Sequence, residues 1–99
     1  MWSAYDGGST LGEAGSENGV ILADEEHSAG AHITLERDGY TPWAITCGVY
    51  GLMVHTVFAG QEGEARSKYA AMKADIGNFM DSDTDPIRWC ADFVARFPS

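Results

Sequence analysis

The sequence predicts an α+β fold: a four-stranded antiparallel meander sheet with a long helix packed on one face and a second, C-terminal helix. Three observations carry this. Ala31–Arg37 alternates, with Ala31, Ile33 and Leu35 on one side and His32, Thr34 and Glu36 on the other, as a half-buried strand does. Trp43–Val49 and Leu52–Phe58 are rich in β-branched and aromatic residues on either side of Tyr50-Gly51. Beyond Gln61 the period changes: Ala65, Tyr69, Met72, Ile76, Phe79 and Met80 recur at spacings that draw one stripe along a helix.

The remaining elements follow in order. Residues 1–19 are rich in Gly, Ser, Asn and Asp and read as a flexible or loosely docked arm, with one short strand near Ser9–Leu11 and with Trp2 and Tyr5 as its anchors. The domain proper spans residues 20–99. Val20–Asp24 is the first strand, and Asp24–Gly30 a polar connection. Asp38-Gly39 signals a hairpin, with Gly39 free to take a positive φ. Keeping the apolar sides of both strands together requires a three-residue loop there, which puts Ile33 opposite Ile45. A two-residue Tyr50-Gly51 turn pairs Val49 with Leu52 and Thr46 with His55. Asp85 is a good N-cap with Pro86 at the first helical position, and Ile87, Cys90, Phe93, Val94 and Phe97 line the second helix.

Charge bounds the function. The chain carries a formal −9, with no basic stripe to displace counterions from a phosphate backbone, which disfavours nucleic acid and anionic membranes. The charge is also uneven. Residues 1–42 hold eight acidic groups against Arg37, a net −7, while residues 43–99 hold seven acidic against five basic groups, a net −2. Cys47 and Cys90 do not make a disulfide scaffold and are expected as free thiols. With no secretory leader in view, a cytoplasmic location is expected.

No catalytic signature stands out, and no cofactor or metal site is expected. Carboxylates beside an imidazole in Asp24-Glu25-Glu26-His27 have the donor chemistry of a divalent-metal or acid–base site, and Glu26 and His27 are its candidates. Carboxylates in a polar connection are more often simply solvated. The sheet's outer face offers a second cluster: the register aligns His32, Thr46 and His55 in one row, with Ala44, Met53 and Val57 around it. Two histidines there would suit a ligand or a pH response. The apolar residues among them suit a face that is covered, by a partner subunit, by the N-terminal arm or by the second helix. The expectation is a small non-enzymatic interaction protein that self-associates through its outer sheet face as a homodimer or other homo-oligomer, with a different protein partner also open. The alternative is a small-ligand or metal-binding protein or enzyme using His32, His55 and the 24–27 segment.

Overall fold

The computed structural model describes residues 1–99 and has the α+β architecture that the periodicities predict. Five strands form one antiparallel meander in chain order: β1 (Trp2–Ala4), β2 (Val20–His27), β3 (Ala31–Arg37), β4 (Trp43–Val49) and β5 (Met53–Ala59). Helices α1 (Glu62–Met80) and α2 (Pro86–Arg96) pack on one face. No helix is long and apolar enough to cross a membrane.

Both helices start where their local chemistry says. Glu62 and Glu64 place negative charge in the first turn of α1, where the helix dipole favours it. Asp85 caps α2 by accepting from the Ile87 N–H at 3.1 Å, with Pro86 in the first turn. Ile33, Leu35, Ile45, Cys47 and Val57 meet Met72, Ile76 and Phe93 in one apolar layer. α2 is tied to α1 by Trp89, which stacks on Phe79 at 4.1 Å and donates its Nε1–H to Asp75 at 3.2 Å.

The structure corrects several expectations. The arm's strand is Trp2–Ala4, paired with Glu25–His27, and Ser9–Leu11 lies in turns. Segment 24–27 is not a connection but the end of β2, so alternation sends Asp24 and Glu26 to one face and Glu25 and His27 to the other. In the β3–β4 hairpin the parity is as expected, but the offset differs: Ile33 pairs with Cys47 and Leu35 with Ile45, across the connection Asp38–Pro42. There Asp38, not Gly39, takes the positive φ, at 59°. Gly39 is needed for space, since a Cβ on it would lie 2.2 Å from the Glu17 carbonyl oxygen.

The β4–β5 hairpin departs most. Its loop is Tyr50-Gly51-Leu52, with Gly51 at φ 79°, and Val49 pairs with Met53. The register is one residue from the expected one, which turns every β5 side chain to the opposite face. His55 and Val57 therefore point to the helices and Met53 packs against the core, while Val54, Thr56 and Phe58 face outward. On α2, Trp89 and Phe93 are buried, whereas Ile87 is 77% exposed and Val94 40%.

Candidate functional site

The outer face of the sheet is laid out by register in three rows. One reads Ser3, Glu26, His32, Gly48, Val54; the next Asp24, Thr34, Thr46, Thr56; the third Ile21, Glu36, Ala44, Phe58. Each row runs from acidic residues on β2 or β3 to a neutral or apolar residue on β5.

Residues 5–19 cover the acidic end. Tyr5 stacks on the His32 ring at 4.3 Å. Thr10 Oγ1 donates to Asp24 Oδ2 at 2.7 Å. The Glu36 carboxylate, 2% exposed, accepts the backbone N–H of Gly19 at 3.0 Å and of Glu17 at 3.2 Å. Gly15 lies directly over it, where a Cβ would come within 2.3 Å of the carboxyl carbon. These buried carboxylates have no lysine or arginine partner. Hydrogen-bond donors from the arm and the sheet offset their desolvation.

Between the arm and the β4–β5 turn lies an open cleft of about 750 Å³. Asp24, His32, Thr34, Glu36 and Thr46 contribute to its polar lining, together with Ser16 of the arm and Tyr50 of the turn. Asp24 accepts from His32 Nε2 and, at 3.1 Å, from Thr34 Oγ1. The hydroxyls of Thr46 and Thr56 are 3.2 Å apart. Tyr50 donates its hydroxyl to Glu26 at 2.8 Å.

The residues singled out in the sequence are thus divided between two faces. His32 and Thr46 line the cleft, and Glu26 sits beside it through Tyr50. His55 does not join them, because it lies under the sheet, where Nε2–H donates to the Phe97 carbonyl at 2.5 Å and the ring meets Phe93 edge-on. His27 is buried on the helix face, edge-on to Trp2. Ala44 faces outward but is 2% exposed, and Val57 is buried in the core. Phe58 and Val54, 38% and 80% exposed, occupy the outward positions expected of Met53 and Val57.

The cleft's chemistry is that of one carboxylate–imidazole pair flanked by hydroxyls, with the second carboxylate, Glu36, held by the Gly19 and Glu17 N–H groups. No group of three His, Cys, Asp or Glu side chains is placed to hold a metal ion. Cys47 faces the opposite side, and burial, with Cys90 nearby, pushes its thiol up to about 12, so it stays protonated at neutral pH. On the helix face Glu25 accepts from Tyr69 Oη and Lys73 Nζ, both at 2.6 Å. Burial raises the Glu25 pKa, but these two bonds outweigh it and the carboxyl titrates below its ordinary value of 4.5. Comparison with family models, with curated proteins and with solved structures found no match to this chain.

Proposed function

We propose that this chain is a non-enzymatic interaction protein that self-associates through the β5 side of its outer sheet face. One observation carries the reading. The helices cover one face and the arm covers the β2–β3 end of the other, leaving β5 with Val54 80% exposed and Phe58 38% exposed on a strand that holds no charged residue. Apolar side chains in that position gain from a partner that removes them from water, at roughly 25 cal/mol per Å² of apolar surface. The test is sedimentation across a concentration series, with Val54→Glu beside the wild type. A wild-type dimer that the substitution dissociates into a folded monomer, whose melting temperature no longer depends on concentration, supports the reading. A chain that is monomeric throughout contradicts it.

The cleft favours a second reading, a small-ligand site. Its volume is within the range of such sites, and Asp24, His32, Thr34 and Thr46 converge there. Soaking a small-molecule fragment set and following the His32 ring by NMR checks it. Shifts at His32 that Thr46→Val abolishes favour a ligand, and a silent cleft removes the reading.

A further inference from the structure

β5 is an edge strand: β4 flanks it on one side and no strand lies on the other. Such an edge presents unpaired N–H and C=O groups, and natural sheets usually blunt it with charge, proline or brevity. β5 has seven residues, Met-Val-His-Thr-Val-Phe-Ala, with neither charge nor proline. The opposite edge, β1, has only three.

α2 adds an independent feature on the same side. At about 100° per residue, its surface divides into three arcs. Trp89, Cys90, Phe93 and Phe97 face the core. Arg88, Asp92 and Arg96 carry the charge, and Arg96 reaches Asp75 of α1 at 2.5 Å. The third arc is uncharged and exposed, consisting of Ile87, Ala91, Val94 and Ala95. The α1-facing flank holds Trp89 and Arg96, so this third arc lies on the flank turned away from α1. α1 in turn bonds β2 through Tyr69 and Lys73, while α2 packs against His55 of β5. The free flank of α2 and the free edge of β5 therefore share one side of the molecule.

We infer that a second copy of this chain occupies that side, its β5 pairing antiparallel with this β5 about a two-fold axis at Thr56, and the two α2 flanks meeting below the joined sheet. The inference rests on the self-association proposed above and names its geometry. The register is self-complementary. Centring it on Thr56 sets Val54 opposite Phe58 of the second copy, twice over, on the outer face. Apolar and aromatic–β-branched cross-strand pairs of this kind stabilise antiparallel sheets. An isologous contact of this form closes on itself as a dimer rather than growing into a fibre. Charge also fits. Two chains of −9 repel, yet the contact surfaces are uncharged, and residues 1–42, with net −7, build most of the far half of each sheet. Pairing through β5 sets those acidic halves as far apart as the fold allows, and added salt should strengthen it by screening what repulsion remains.

A disulfide trap tests this geometry. In a Cys90→Ala background, where Cys47 is buried, Thr56→Cys places its thiol opposite its own counterpart. Facing Cα atoms in such a pair lie about 4.5–5.5 Å apart, within disulfide reach. Val54→Cys is the control: its counterpart is displaced by about 13 Å along the strands, out of reach. Mild oxidation should cross-link the first variant at least about ten-fold more than the second, and Ile87→Glu should weaken dimerisation at least about ten-fold. Dimerisation without preferential cross-linking at position 56, or unaffected by Ile87→Glu, overturns this geometry and leaves self-association standing. A chain that sediments as a monomer at every concentration overturns both.

Discussion

The two ends of the outer sheet face solve different problems. At the β2–β3 end, Asp24 and Glu36 are buried at 6% and 2% exposure, and every donor they use comes from a neighbouring strand or from residues 5–19 laid across them. At the β5 end the side chains are neutral, nothing of the chain lies over Val54, and it is 80% exposed. The charged residues sit where internal hydrogen bonding closes the surface, and the apolar residues sit where it is left open. In this fold, then, buried acidity is a device for holding the arm down, and the open apolar edge is where association is proposed.

Substitutions at the two ends should therefore separate stability from association. Val57→Glu is the largest expected effect. It puts an unpartnered charge in the helix-facing core of β5, at a cost of about 3–5 kcal/mol, and leaves little folded protein to associate. A well-folded Val57→Glu variant would mean that the β5 register is wrong. Glu36→Ala removes the acceptor of the Glu17 and Gly19 N–H groups and should cost about 1–3 kcal/mol in urea unfolding, with sedimentation unchanged. An unaltered unfolding midpoint would show that the arm is not held by this carboxylate.

Acid should act on the opposite face, through Glu25. Its carboxyl is held below 4.5 by Lys73 and Tyr69 against the opposing effect of burial, so its contribution to stability is present above the unfolded value and is lost as pH falls through the folded one. Melting temperatures of wild type and Glu25→Gln should differ most near neutrality and converge at low pH. A difference that does not depend on pH would mean that the carboxylate is not the group responsible. The smallest expected effect on stability belongs to Val54→Glu, within about 0.5 kcal/mol, because the side chain is solvated in the monomer. A large loss of monomer stability there would show that something in the chain already covers β5.

The same contrast explains what could be read from the sequence. α1 and α2 are legible because a stripe such as Ala65, Met72, Ile76 is unambiguous and Asp85-Pro86 marks a helix start. β3 is legible because its polar and apolar residues alternate. In β5 they do not: Val54 and Phe58 on one face balance Met53 and Val57 on the other, so hydrophobicity leaves two registers open and only the loop decides. Gly51 at positive φ lengthens that loop by Leu52, and no pattern in the strand reports it. The pairing of His32 with Asp24 was hidden for a related reason. Asp24-Glu25-Glu26-His27 is so polar that it resembles a loop, and it is a strand because it pairs with Ala31–Thr34 on one side and, from Glu25 on, with Trp2–Ala4 on the other. The burial of Glu36 under Gly15 depends on contacts between distant segments, which local pattern does not encode.

Amide hydrogen exchange measured as a function of protein concentration tests the central claim most directly, because it reads both ends of the sheet at once. If a second copy pairs along β5, protection at Met53–Ala59, and around Ile87–Ala95 where the α2 flanks meet, rises with concentration, and rises more than in β2 and β3, which gain only what association adds to global stability. Exchange in β5 that is rapid and independent of concentration, or protection that rises at β2 and β3 instead, would contradict it.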